Sequence, residues 1–500
     1  MSTPSSSTPQ YQAVIVGTGF GGMGAAIQLG RQGIRNILML DEASDVGGTW
    51  HFNSYPGLAV DIPSVTYSYS FEPNPYWSRV YAPGAELKKY ALHIAEKYQL
   101  RPTMRFNSLV EKSVYDEAGK FWTVYIQGQA PVTTRILILA TGFLSHPKMP
   151  DIKGIDSFTG KVIHTARWDH SYDLNGKRAA VIGTGATSVQ LVPEIAPKLA
   201  QLDVYQRTAI WVSPKNDSAI PTPIKTLFAR MPQSQRVARF AGSTVLELMM
   251  VTGVLHHKQL SLLNKGIELL CSAHMRRAIK DPVLRKQLTP TYGFGCKRPT
   301  FSNTFYPTFN RPNVALVTTS IDHIEPDGIV TTDGNKRKID TLILATGFKV
   351  WEKGNFPAFD VIGRAGIELG DWWDKNGYQS YEGLSVPNFP NLFNLHSPFA
   401  YSGFSYFTVV DYQMAHIGRC LTEMLAQGAD EFEVSAAANS TFTHHMQDKL
   451  ADSIFVHGNC ASANSYYFNP QGEATLLRPT TTYHAMKASH SYPLSNYQFA

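Results

Sequence analysis

YQAVIVGTGFGGMGAAIQLGRQGIRNILMLDEA, residues 11–43, sets the architecture of the chain. The apolar run Ala13–Val16 reads as a buried parallel strand. Gly17, Gly19, Phe20 and Gly22 follow in a G-x-G-x-x-G loop. Its first glycine allows the turn, its second lets backbone approach a pyrophosphate, and its third lets helix and strand pack closely. The helix that follows points N–H groups and a partial positive charge at the phosphates. A second strand, 36–40, ends at Asp41, with Glu42 beside it. An acid about 20 residues beyond the loop can accept from ribose hydroxyls. Strand, loop, helix and acid together read as a dinucleotide site, and its position at the start of a long chain points to FAD.

KRAAVIGTGATSVQLVPEIA, residues 177–196, repeats the pattern. Gly183 and Gly185 fill the first two positions and Ser188, still small, the third, with Ala186 and Thr187 between them. The next strand, 202–205, runs into Gln206-Arg207-Thr208 with no acid. An acid would repel a 2′-phosphate, whereas Arg207 can bind one bidentately and Thr208 can donate a hydroxyl. The second loop therefore points to NADPH. Two further apolar strands, ILILATGF (136–143) and DTLILATGF (340–348), end alike in Ala-Thr-Gly. Thr141 with Gly142, and Thr346 with Gly347, are expected beside the FAD and the NADPH, where chain passes between two nucleotide domains.

The fold class expected is α/β, with two dinucleotide-binding (Rossmann-like) domains and a helical insertion in the NADPH domain. The FAD domain is expected in two parts, 1–150 and 336–500, the second with a C-terminal loop region; the NADPH domain spans 151–335, with the insertion at about 222–290.

The rest of the chain excludes several classes. With 500 residues, 43% apolar and 17% charged, it is globular. A net charge of +6 without a long basic run gives no nucleic-acid partner. MSTPSSSTPQ lacks the regions of a signal peptide and reads as a disordered tail on a cytoplasmic protein. AGSTVLELMMVTGVL (241–255) is too short to span a bilayer and reads as a buried amphipathic helix, so no membrane partner is expected. Cys271, Cys296, Cys420 and Cys460 have no metal or redox spacing and are expected as reduced, mostly buried thiols; no metal is expected. A disulfide reductase would need a redox cysteine pair, and none is spaced for it.

Two longer motifs carry a resemblance. Phe158-x-Gly160-x-x-x-His164-x-x-x-Trp168-Asp169 resembles the fingerprint of type I (class B) Baeyer–Villiger flavoprotein monooxygenases. GGTWHFNSYPGLAVD (47–61) matches a second fingerprint at Gly47, Gly48, Trp50, Tyr55, Pro56, Gly57 and Asp61, with Thr49 inside it. The resemblance implies an NADPH- and O₂-dependent enzyme that converts ketones to esters or lactones through a C4a-peroxyflavin. It implies Gly48, Thr49, Trp50, Tyr55 and Asp61 around FAD, with the His164 segment coupling the domains. GFGCKRPTFSNTFYPTFNRPNV (293–314) resembles the active-site arginine segment, which makes Arg298 the catalytic cation, Asp61 its partner, and Lys297 a second ligand for the 2′-phosphate. Arg311 is a rival for either role. HSPFAYSGFSYF (396–407) could line a ketone pocket or a core.

Ala59, Tyr466 and Arg478 depart from the common family pattern, the last two in a C-terminal segment similar to a loop that closes over NADPH. Alternatives are a flavin monooxygenase acting on nitrogen or sulfur, and a non-enzymatic FAD/NADPH redox sensor. The substrate is expected to be a small ketone, the assembly a monomer or weak homo-oligomer. The sequence does not name the ketone or the regioselectivity.

Overall fold

A computed structural model describes residues 8–402 and 405–500. Most of the tail read at 1–10, and Gly403 and Phe404 of the 396–407 segment, lie outside the described residues.

The 11–43 stretch folds as strand Tyr11–Val16, helix Phe20–Arg31 and strand Ile37–Leu40. The first strand sits in an eight-stranded sheet, with parallel partners on both sides: Ile37–Leu40, and Val132–Leu139 ahead of the first Ala-Thr-Gly. Val14 and Ile15 are fully buried because helices and further strands cover both faces. Val110–Asp116 and Phe121–Ile126 extend the sheet antiparallel. Met104–Arg105, beside Ile37–Leu40, and two late strands, Asp360–Ile362 and Leu392–Asn394, complete it.

The second sheet has five strands, all parallel, in the order Val314–Val317, Gln201–Tyr205, Arg178–Ile182, Thr341–Leu344 and Lys161–His164. Thr341–Leu344 therefore belongs to the second unit, and the chain returns to the first only beyond Gly347. The boundary expected at 336 moves accordingly. The strand's identical buried Leu-Ile-Leu pattern, shared with 137–139, gives no hint of which sheet it joins.

The two crossings run side by side. Lys148 N–H donates to Gly347 O (2.9 Å) and Lys349 N–H to His146 O (3.0 Å), and Pro147 and Phe348 form an antiparallel bridge. Two short strands of chain, one leaving the first unit and one returning to it, thus form a small ribbon between the units.

Helices fill 222–288: Thr222–Arg230, Pro232–Leu246, a π turn at Glu247–Val251, Thr252–Leu255, His257–Ala278 with a kink at Leu260, and Pro282–Leu288. The 241–255 segment is not the single buried helix expected. The π turn interrupts it, Val245 and Leu248 are exposed, and Val251 and Leu255 are buried.

The cysteines also differ from expectation. Cys296 and Cys460 are joined as a disulfide, Cα atoms 5.0 Å apart and 164 residues apart in sequence. Cys271 and Cys420 are free and buried. A partner so distant leaves no spacing signature to read. Reduction, or the Cys296→Ser change, is expected to destabilise the protein by about 2–4 kcal/mol. A lower thermal midpoint in reductant, absent from the Cys296→Ser/Cys460→Ser double variant, checks this.

Candidate active site

The two glycine loops are built alike. Gly17 has φ +110°, and a Cβ there would lie 2.4 Å from Ala140 O of the first Ala-Thr-Gly. Gly183 has φ +108°, and a Cβ there would lie 2.6 Å from Ala345 O of the second. Each loop thus rests on the strand end that precedes a crossing, which brings Thr141 and Gly142 to the first loop and Thr346 and Gly347 to the second. In the third position a Cβ on Gly22 would sit 1.9 Å from Gly17 O. The second loop opens enough to admit Ser188, whose hydroxyl donates to Gly183 O (2.6 Å).

The loops leave side-chain-free space where a phosphate needs it. Gly19 and Gly48 face each other, and a Cβ on Gly185 would meet nothing within 4 Å. Thr49 and Trp50 begin a short helix directly after Gly48, with Trp50 edge-on to Tyr67 at 5.7 Å. Of the two acids after the second strand, Asp41 is committed internally: it accepts from Thr18 N and Thr18 Oγ1, both 2.6 Å, and from Ala43 N (2.9 Å). Glu42 keeps about a third of its side chain exposed, 3.9 Å from His146. His396 is buried and stacked 4.4 Å from Tyr406, whose hydroxyl reaches Gly21 of the first loop, and neither ring nitrogen has a partner among the described residues.

At the second loop, Arg207 is exposed and Lys297 half-buried. Burial, and then the nearby Arg207 charge, lower the Lys297 pKa. Neither cation has a carboxylate in ion-pair distance among the described residues. Two like charges held together without an anion form a site for one. Thr208 Oγ1 accepts from Asn464 Nδ2 (3.0 Å), which brings the C-terminal loop to the same place.

Arg298 lies at the wall of an apolar pocket. Its guanidinium grips Asp61 with two bonds, Nε to Oδ2 at 2.5 Å and Nη2 to Oδ1 at 2.9 Å, and its Nη1 donates to Tyr401 Oη at 3.2 Å. Burial opposes both charges. Arg298 more than offsets this for Asp61, whose carboxyl stays below its ordinary range; Asp61 does the same for Arg298, which stays charged. Val251, Val254 and Leu255 of the helical insertion, with Phe294, Tyr467 and Leu477, form the apolar walls. Arg311 is exposed, its guanidinium donates to Asn313 Oδ1 (3.4 Å), and it is not among the residues lining this pocket.

Comparison with known proteins places this arrangement. A pyridine nucleotide-disulphide oxidoreductase family model matches residues 14–245. That stretch contains no cysteine, so the match covers nucleotide-binding architecture without a redox thiol pair. A Baeyer–Villiger monooxygenase of Streptomyces coelicolor is 35% identical over 490 residues, 97% of this chain and 92% of that protein. One of Pseudomonas aeruginosa is 36% identical over 488 residues, 97% of this chain and 91% of its own. The chain belongs to the Baeyer–Villiger monooxygenases. The crystal structure of OTEMO in complex with FAD and NADP superimposes with a TM-score of 0.87 at 29% identity, covering 99% of this chain and 100% of that one. Oxidized steroid monooxygenase bound to NADP gives 0.86 at 28% identity, covering 98% and 99%.

The Baeyer–Villiger fingerprint at 158–169 is a joint. A Cβ on Gly160 would lie 2.5 Å from Asp340 O. His164, at the end of an edge strand, is buried, which lowers its pKa. Its Nδ1 accepts from Ala166 N (3.1 Å), so the neutral ring carries its proton on Nε2, 3.4 Å from Thr346 Oγ1. Thr346 Oγ1 in turn donates to Lys148 O, in the other crossing. Trp168 packs on the second unit's core and Asp169 accepts from Lys161 Nζ (2.5 Å).

Other expectations for a Baeyer–Villiger site shift. Tyr55, expected at the flavin, is buried in the second unit's core and donates to Gln190 Oε1 (2.9 Å). Gln190, which no motif marked, also donates to Ala59 O (2.9 Å), so it joins the second fingerprint to the second nucleotide unit. Arg478 is buried in an ion pair with Glu382 (2.5 Å), and Tyr466 O accepts from Trp351 Nε1 (2.8 Å). Tyr401, in the 396–407 segment expected to line a pocket or a core, lines the Arg298 pocket; Lys215, which no motif marks, is close enough to Asp61 to help hold its charge.

Proposed function

We propose that the protein is an FAD-containing, NADPH- and O₂-dependent Baeyer–Villiger monooxygenase that converts ketones to esters or lactones. The observation that carries this reading is the Asp61–Arg298 pair, a desolvated cation at the wall of an apolar pocket in a chain with two nucleotide loops. The residues present fit the two cofactors: paired glycine loops with open space at Gly19 and Gly185, the Arg207–Lys297 cation pair, and the unpartnered imidazole of His396. Bound FAD and NADPH supply the reduction and O₂ activation that place one oxygen atom beside the ketone carbonyl and release the other as water.

Arg298 holds a fixed positive charge where the carbonyl oxygen gains negative charge, and a fixed cation in a dry pocket needs no reorganisation there. Asp61 keeps the guanidinium planar to itself and limits its excess charge. Arg207 and Lys297 take the 2′-phosphate of NADPH, and Gly183, Gly185, Ala186, Thr187 and Ser188 its pyrophosphate. Gly17, Gly19, Phe20 and Gly22 take the FAD pyrophosphate and Glu42, the acid left open, its ribose. Asp41 shapes the turn by holding Thr18. Val251, Val254 and Leu255 exclude water from the reacting centre.

Aerobic NADPH consumption across a panel of cyclic, linear and aromatic ketones is expected to rise with at least one class, with product mass increased by one oxygen. Sulfoxides from thioethers with no ester from any ketone would overturn the reading. The Arg207→Ala variant is expected to raise KM for NADPH by about 10-fold or more while leaving NADH nearly unchanged, since one charge-assisted phosphate contact is worth roughly 1.5–3 kcal/mol. Steady-state kinetics with both nucleotides check this.

A further inference from the structure

The helical insertion turns an unusual number of large apolar side chains toward water. On Pro232–Leu246 and the π turn after it, Val237 (68% exposed), Phe240 (75%), Val245 and Leu248 share the outer face. The inner face is polar: Gln235 is buried and donates to Asn74 O (2.7 Å), and Arg239 pairs with Asp411 (3.4 Å). His257–Ala278 buries an ordinary apolar face, Ile267, Cys271 and Met275, yet also turns Leu262 (79%) and Leu269 (67%) outward. A helix whose outer face meets water ordinarily turns its charged residues outward. Pro232–Leu246 does the opposite, and together with the outward leucines of His257–Ala278 it presents a surface built to be covered.

The charge of the segment says by what. Residues 222–280 hold nine Lys and Arg and two acids. Their surplus of seven exceeds the +6 of the whole chain, so the remaining residues are close to neutral. Both acids are used internally: Glu247 accepts from Thr482 N and Oγ1 (each 2.7 Å), and Glu268 from Phe294 N (2.8 Å). Arg230, Arg236 and Lys265 are exposed among the apolar side chains, and none has an ion-pair partner among the described residues. A second copy of the chain, meeting this face across a two-fold axis, would set the cationic surplus against itself. An anionic bilayer meets both features, with acyl chains for the apolar side chains and headgroups for the cations.

We propose that the insertion docks the protein peripherally on anionic membranes, lying in the interface without crossing it. No helix of the described residues is long and apolar enough to span a bilayer, so this is a different use of lipid from the one the sequence argues against. The geometry also has a direction. Val251, Val254 and Leu255, between the two outward-facing helices, are walls of the Arg298 pocket, so the docked face and the pocket share one segment. The docking stands independently of the reaction proposed above, and its test uses no turnover.

The test is co-sedimentation of the full-length holoprotein with phosphatidylcholine vesicles, with and without phosphatidylglycerol at roughly a third of the lipid. Binding is expected only with the anionic lipid, and is expected to weaken as salt is raised. Phe240→Ser/Leu262→Ser is expected to weaken binding by about 10-fold or more through loss of buried apolar area, and Phe240→Leu to retain it. Arg230→Gln and Arg236→Gln are expected to cost about fivefold each. Circular dichroism and the flavin spectrum confirm that each variant is folded. Absence of binding, or equal binding to neutral vesicles, overturns the proposal. So does light scattering that shows a dimer dissociated by Phe240→Ser/Leu262→Ser with vesicle binding unchanged, because the face would then be covered by a second copy.

Discussion

Arg298→Ala is expected to keep oxidising NADPH while ester formation falls by about 10²–10³-fold or more, the range lost when a preorganised donor to a developing oxyanion is removed. The electrons leave as hydrogen peroxide, so peroxide and product assayed together against NADPH consumed give the signature. The split follows from geometry. Arg298 touches Asp61 and Tyr401 at the pocket wall, whereas the cations placed on NADPH are Arg207 and Lys297. Arg298→Lys keeps the charge yet cannot reproduce the two-bond grip on Asp61, so ester yield between wild type and alanine is expected. Asp61→Asn leaves the guanidinium buried without its counter-charge and is expected to reduce yield as well. Normal ester yield from Arg298→Ala would remove this residue from the chemistry and leave the family assignment, which rests on the whole chain, standing.

Gly17→Ala is expected to give protein that does not hold flavin and is destabilised by about 3 kcal/mol or more. The alanine would need φ +110° and would put its Cβ 2.4 Å from Ala140 O, which is backbone and anchored in the sheet. Two other glycines of the same segment serve as controls. At Gly19 the nearest atom to an added Cβ is Gly48 Cα at 3.6 Å, so Gly19→Ala is expected to fold and to lose FAD affinity alone. At Gly30 nothing lies within 4 Å, and Gly30→Ala is expected to be neutral or slightly stabilising in the last turn of the helix. Thermal midpoints and flavin absorbance of the three variants separate strain from cofactor contact. Equal behaviour at positions 17 and 30 would contradict the turn geometry.

What could be read from residues alone was whatever chemistry ties to local spacing. The glycine loops, the buried strands and the Ala-Thr-Gly endings are of this kind, and each finds its place in one of the two sheets. The Asp61–Arg298 contact spans 237 residues and came through family resemblance, since no spacing rule reaches that far. Contacts of that length without a motif escaped. Cys296–Cys460, Tyr55–Gln190 and Tyr401–Arg298 each depend on how the units meet. The bonds from Thr18 and Ala43 to the Asp41 carboxylate leave no mark in the local pattern. The 241–255 stretch was read as buried because apolar residues usually are, whereas the structure turns part of it outward.

The paired crossings at 146–148 and 347–349 have a mechanical consequence. A lone connecting strand would let two lobes swivel in any direction. Two strands laced together by Lys148–Gly347 and Lys349–His146 act as a strip hinge, stiff to shear and compliant chiefly about its own long axis. His164 and Thr346 brace that strip from the second lobe. Any relative motion of the two lobes at this strip is therefore expected to run chiefly about that axis.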